Sequence, residues 1–130
     1  MTILDPRQLF GQEGEIAAAR YLQQKGYRIL AKNLRSSLGE LDLVAEDGEV
    51  LVFVEVKARQ TDRFGGAIHA VDERKQKKLI QLASQYLARH HWMGRACRFD
   101  IVLLQGAANA DEQIQHIENA FEVPGDDLRW

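Results

Sequence analysis

The chain has 130 residues, 45% hydrophobic and 28% charged, with 17 Lys+Arg against 19 Asp+Glu. These are the proportions of one ordinary globular domain, and a net charge of −2 excludes a globally basic nucleic-acid binder, so any such binding must use a local basic face. A single cysteine, Cys97, excludes an internal disulfide framework and a Cys-based zinc centre, and reads as a small core residue beside a strand.

In chain order, a first helix is predicted from Asp5 as cap and Pro6 in the first turn to about Gln24, with Gly26 as its stop. Glu15, Ala18, Ala19 and Leu22 share one face of it, which puts a glutamate in line with core-facing residues. Three strands are expected over 27–34, 40–45 and 50–58, the third being rich in β-branched and aromatic residues. A helix over 72–90 carries a buried stripe of Leu79, Leu82, Ala83, Tyr86 and Leu87, with Arg74, Lys75, Lys77 and Lys78 near its start. A strand over 98–104 and a weaker one over 114–119 follow, separated by a small, polar loop over 105–111. The step from the third strand through the helix to the fourth predicts a parallel crossover. The longest apolar run, Val50 to Val54, is too short to cross a membrane as a helix, and no signal-peptide pattern opens the chain. A cytoplasmic location without membrane attachment is therefore expected.

Strand alternation puts Phe53, Glu55 and Lys57 on one face of the third strand, and Glu40, Asp42 and Val44 on one face of the second. A hairpin turning about Asp47-Gly48 pairs Asp42 with Phe53 and Glu40 with Glu55. Asp42 and Glu55 then become diagonal neighbours with Cα atoms about 7–8 Å apart. Two such carboxylates can converge on a hard divalent cation, Mg²⁺ or Mn²⁺, and Lys57 puts a positive charge beside it. By spacing alone the same residues also suit a solvated polar sheet face carrying a weak Glu–Lys pair. Glu15 equally suits an exposed early-helix glutamate, and Glu40 a structural residue closing the strand after Gly39.

Asp42, twelve residues, then Glu55-Val56-Lys57 resembles the split motif of the PD-(D/E)xK nuclease superfamily. Gly14-Glu15, Gly26-Tyr27, the run Gly39 to Val44, the run Phe53 to Arg59, Arg98-Phe99-Asp100 and Asn119-Ala120-Phe121 resemble, more closely, the YraN-like family of bacterial proteins. That family is itself similar to archaeal Holliday junction resolvases. The likeness covers roughly residues 8 to 121. It implies an α/β, restriction-endonuclease-like core of helix, three strands, helix and strand, with a mixed central sheet flanked by helices. It implies Asp42 and Glu55 as metal ligands, the Val56 carbonyl as a third, Lys57 as the residue positioning water, and Glu15 completing the site. Mg²⁺, with Mn²⁺ as substitute, is the implied cofactor, and DNA, branched or structured, the implied substrate. Glu40-Leu41-Asp42 stands where the literal Pro-Asp of the motif would be.

Arg59, Arg63, Arg74, Lys75, Lys77 and Lys78 flank the motif in sequence and are the candidates for a phosphate-facing patch, or simply a solvated helix face. Phe64-Gly65-Gly66 reads as a loop that either lies over substrate or is a plain turn, and His69 could approach the site from that loop. His90-His91-Trp92 should end the long helix, since adjacent helical residues do not share a metal. No phosphate loop of the Walker type and no serine-triad signature is present. The expectation is one endonuclease-like domain over 1–121 with a C-terminal tail over 122–130. Its expected activity is metal-dependent hydrolysis of DNA, alone, as a homodimer or with a partner protein. The alternative is a non-catalytic nucleic-acid-binding module of the same fold that acts with a partner.

Overall fold

The structure, a computed structural model, describes the backbone of residues 6–59, 72–105 and 113–122 and the side chains within 13–58, 72–104 and 114–122. The elements are α1 (Pro6–Gln24), β1 (Arg28–Ser36), β2 (Gly39–Asp47), β3 (Val50–Arg59), α2 (Glu73–Arg89), β4 (Cys97–Gln105) and β5 (Gln113–Ile117). The five strands form one sheet in sequence order. β3 and β4 run parallel, the other neighbours antiparallel, so the predicted parallel crossover through α2 is present. Among the described residues, no helix is long and apolar enough to cross a membrane.

Each helix covers one face of the sheet, as strand alternation requires when both faces are apolar. Ala18, Ala19 and Leu22 of α1 pack with Leu43, Ala45, Val52, Val54, Val102 and Leu104. On the other face the predicted stripe of α2 packs on Leu51, Phe53, Phe99, Ile101 and Leu103. Gly26, at φ 98, follows the end of α1 as expected. Asp72 caps α2 by accepting from the Lys75 amide at 2.9 Å, and His90 closes it, its ring stacked on Trp92 at 4.9 Å. The helix end, not a zinc pair, is therefore the role of the His90-His91-Trp92 run. Cys97 begins β4 half-buried, and burial pushes its thiol up to about 11.

Gly14 lets α1 sit close against the sheet. A Cβ there would lie 3.0 Å from the Ala58 Cβ and 3.1 Å from the Leu104 Cδ1. Gly14→Ala is expected to cost about 1–3 kcal/mol by overpacking, read as a lower urea midpoint with an unchanged slope.

Two departures from the expected strand geometry shape the site. The β2–β3 turn lies at Gly48-Glu49 rather than Asp47-Gly48, and Asp47 pairs with Val50. Gly48 takes φ 61, the positive angle needed at the first central position of a type II′ turn. The register therefore moves by two: Val44, not Asp42, pairs with Phe53. The ladder stops at Leu43↔Val54, so Asp42 and Glu55 are the next residues on the two strands, immediately beyond its last pair.

The second departure is a break in alternation. Ala31 pairs with Val44 and Leu34 with Leu41, yet all four pack on the α2 side although three residues separate them along each strand. Both strands thus change faces together at Asn33 and Asp42, and Asn33 absorbs the change at φ 52, a left-handed angle that asparagine tolerates. The expected grouping of Glu40, Asp42 and Val44 opposite Leu41, Leu43 and Ala45 is corrected accordingly.

Candidate metal and nucleic-acid site

The β2–β3 ladder runs from Asp47↔Val50 to Leu43↔Val54, whereas β3 stays paired with β4 through Arg59↔Gln105. Beyond Val54 the edge of β3 facing β2 therefore opens into a cleft. Asp42 reaches across this split: its Oδ2 accepts from the Val56 amide at 2.8 Å, replacing a ladder bond by a side chain. N–H and C=O of one strand residue point to the same side, so the Val56 carbonyl also faces the split.

The half-buried Glu15 of α1 and Glu40 of β2 meet Asp42 there, with one carboxylate oxygen from each within 4.8 Å of the others. Burial, followed by the charges of Glu55, Glu15 and Glu40, raises the Asp42 carboxyl from the ordinary 3.8 to about 8, against the pull of the Val56 amide. Burial also raises Glu15. Glu40 has Arg35 at 3.8 Å, but that guanidinium is 78% exposed, and such a pair is screened and weak. Burial first, and then the surrounding acids, thus favour the protonated form of Asp42.

Glu55 has the opposite environment. Its side chain is 6% exposed and its Oε1 lies 2.6 Å from the Lys75 Nζ and 3.5 Å from the Lys57 Nζ. Burial, then the neighbouring Lys75, lowers the Lys57 ammonium. Burial also works against the charge of Lys75, but the hydrogen bond and charge of Glu55 outweigh it and raise that group.

The cleft, about 480 Å³, is lined by both carboxylates and by Arg74, Lys75 and Lys78 of α2. Of the expected residues, the structure brings together Glu15, Asp42, Glu55, Val56 and Lys57, with Arg74 and Lys78 exposed along the same cleft. Lys77 is exposed and is not among the cleft residues. Lys75 is an ion-pair partner of Glu55 rather than a free surface cation. Arg59 ends β3, and its side chain lies outside the described residues, as do Arg63, His69 and Phe64-Gly65-Gly66.

Two members were underrated from sequence. Glu40 belongs to the carboxylate group, and Lys75 to Glu55. The available signal for Lys75 was its place in the first turn of α2, where a cation opposes the helix dipole and so needs an anion close by.

A second polar constellation ties the other end of β4 to β5, to the end of β2 and to Tyr27 just before β1. Asp100, fully buried, accepts from the Arg98 Nε at 3.0 Å and from the Asn119 amide at 3.0 Å, and its Oδ2 lies 2.7 Å from the His116 Nε2. Arg98 also bonds Asp47 at 3.0 Å and the Tyr27 hydroxyl. Burial works to raise the Asp100 carboxyl, but His116, Arg98 and the Asn119 amide outweigh it and hold it below the ordinary value. Every buried side-chain polar atom among the described residues has a partner.

A family model described as "Uncharacterised protein family UPF0102" matches residues 14–104. A UPF0102 protein of Pseudomonas putida is 48% identical over 113 residues, covering 86% of this chain and 92% of its own length. One from Pelotomaculum thermopropionicum is 48% identical over 118 residues, covering 90% and 98%. Another from Desulfosudis oleivorans is 40% identical over 121 residues, covering 93% and 96%. The YraN-like resemblance and the mixed sheet between two helices agree with these matches, and the chain belongs to the UPF0102 family with a restriction-endonuclease-like core.

Proposed function

We propose that this protein is a divalent-cation-dependent nuclease that hydrolyses phosphodiester bonds in DNA. The observation that carries this reading is the opened β2–β3 edge, where Asp42, Glu15 and Glu40 converge beside Glu55 and Lys57. The donor set is all hard oxygen, which fits Mg²⁺ or Mn²⁺, and a cation would offset the mutual repulsion of the converging carboxylates once they are ionised. Asp42, Glu15 and Glu40 would hold the ion, with Glu55 and the Val56 carbonyl able to join from β3. Such an ion polarises a phosphoryl oxygen and makes hydroxide available near neutral pH.

The chain's own groups supply the rest. Lys57, half-buried and with its ammonium lowered, holds and orients the attacking water. Arg74 and Lys78, exposed on α2 along the cleft, take the flanking phosphates. Branched or structured DNA is the proposed substrate, on the resolvase resemblance. The second reading, a non-cutting nucleic-acid module acting with a partner, draws on the engagement of Glu55 by two lysines.

Mn²⁺ titration across pH tests the site. Binding must displace the Asp42 proton, so affinity is expected to fall about tenfold per pH unit below about 8. Glu55→Gln should weaken it further. Failure to bind Mn²⁺ even with DNA present rejects the nuclease reading, and salt-sensitive DNA binding without scission favours the second.

A further inference from the structure

Lys75 occupies the position that decides whether Glu55 can serve a cation. Its Nζ lies 2.6 Å from Glu55 Oε1, closer than Lys57 at 3.5 Å, and Glu55 is almost wholly buried. In this arrangement the ammonium of Lys75 satisfies the carboxylate in place of an ion. Lys75 is itself 37% exposed and lines the cleft beside Arg74 and Lys78, so an incoming anion can reach it. Its stem rises from the first turn of α2, where the helix N–H groups and dipole favour an anion and disfavour a lysine. The pair with Glu55 offsets that cost in the free protein, and a phosphate in the cleft would give the ammonium an alternative anion.

We infer that Lys75 is a substrate-released latch on Glu55: a DNA phosphate entering the cleft draws the ammonium off the carboxylate and frees Glu55 for the cation. This rests on the nuclease reading above and adds a positioning residue to it. DNA binding and metal binding then promote one another, because each removes a competitor of the other.

The test is Mn²⁺ affinity measured by electron paramagnetic resonance, with and without a saturating mixture of duplex and four-way-junction DNA. Wild type is expected to bind Mn²⁺ about tenfold or more tightly with DNA present, the size of one charged hydrogen bond exchanged. Lys75→Met should bind Mn²⁺ more tightly than wild type without DNA, and DNA should add little. Lys77→Met removes the same charge from the same helix outside the cleft and without touching Glu55, and should leave the DNA-dependent gain in place. Equal effects of the two variants, or a wild-type affinity indifferent to DNA, overturn the latch while leaving the metal site intact. No Mn²⁺ binding under any condition overturns the latch and the nuclease reading together.

Discussion

Asp42→Asn is expected to weaken Mn²⁺ binding by more than about 100-fold, beyond the ~10–100-fold that loss of an outer-shell partner costs, and yet to stabilise the metal-free protein in alkali. Asparagine keeps an acceptor for the Val56 amide but removes the charge that Glu55, Glu15 and Glu40 oppose. The Asp42 carboxyl titrates at about 8 in the fold against 3.8 for an ordinary aspartate. A folded value raised in this way stabilises fully below the unfolded value and is lost as pH rises through the folded one. Wild type without metal therefore weakens between about pH 4 and pH 8, and the variant, which keeps only the raised Glu15, weakens less. At pH 9 the difference should be on the order of 2 kcal/mol or more, a rise in Tm of about 5 °C or more by scanning calorimetry. Saturating Mn²⁺ should reverse the order, since only wild type gains from the ion. Asp42→Ala would lose the acceptor as well, leaving the Val56 amide unpartnered at a cost of about 1–3 kcal/mol.

Asp100→Ala should be the most damaging polar substitution away from the cleft, costing about 3–5 kcal/mol. It strips the His116 ring of its carboxylate partner and the Asn119 amide of its acceptor, and leaves the largely buried Arg98 with only Asp47, Tyr27 and the more distant Glu118. Set against a typical stability of about 5–15 kcal/mol, that is roughly a fifth or more of the whole. Urea unfolding monitored by circular dichroism reads it directly, and Asp100→Asn, which keeps one acceptor, should lose less. The pH signature has the opposite sign to that of Asp42. The Asp100 carboxyl is held below its ordinary value, so its contribution is present above about pH 4 and disappears as pH falls through the folded value. A loss of less than 1 kcal/mol in Asp100→Ala would mean that β5 is held by apolar packing alone.

The two carboxylates were legible from sequence because the hairpin brings β2 and β3 side by side at their level whichever of the two turns is taken. Moving the hairpin from Asp47-Gly48 to Gly48-Glu49 shifts the register by two and still leaves Asp42 and Glu55 on either side of the opening beyond Leu43↔Val54. The α2 stripe from Leu79 to Leu87 was legible because a helix with one buried face writes a 3.6-residue period into its composition. The exchange of faces at Asn33 and Asp42 was not, since a single left-handed asparagine has no period and its partner lies on another strand. That exchange decides that Glu40 shares the site rather than merely closing β2. The Lys75–Glu55 pair was hidden for a related reason: it depends on where α2 seats against β3, which a charge run near a helix start does not encode. The Asp100–His116 bond joins residues on antiparallel strands whose register is invisible until β5 is placed.

Strand scission is the most direct test of the central claim. Wild-type protein should cut at least one of a panel of four-way-junction, nicked, duplex and single-stranded DNA in Mg²⁺ or Mn²⁺ and stop when the metal is chelated. Asp42→Asn and Lys57→Met should each reduce the rate by about 100-fold or more, measured at saturating DNA. Bound DNA that stays intact through the panel in saturating Mn²⁺, or cutting that survives Asp42→Asn, would contradict the account.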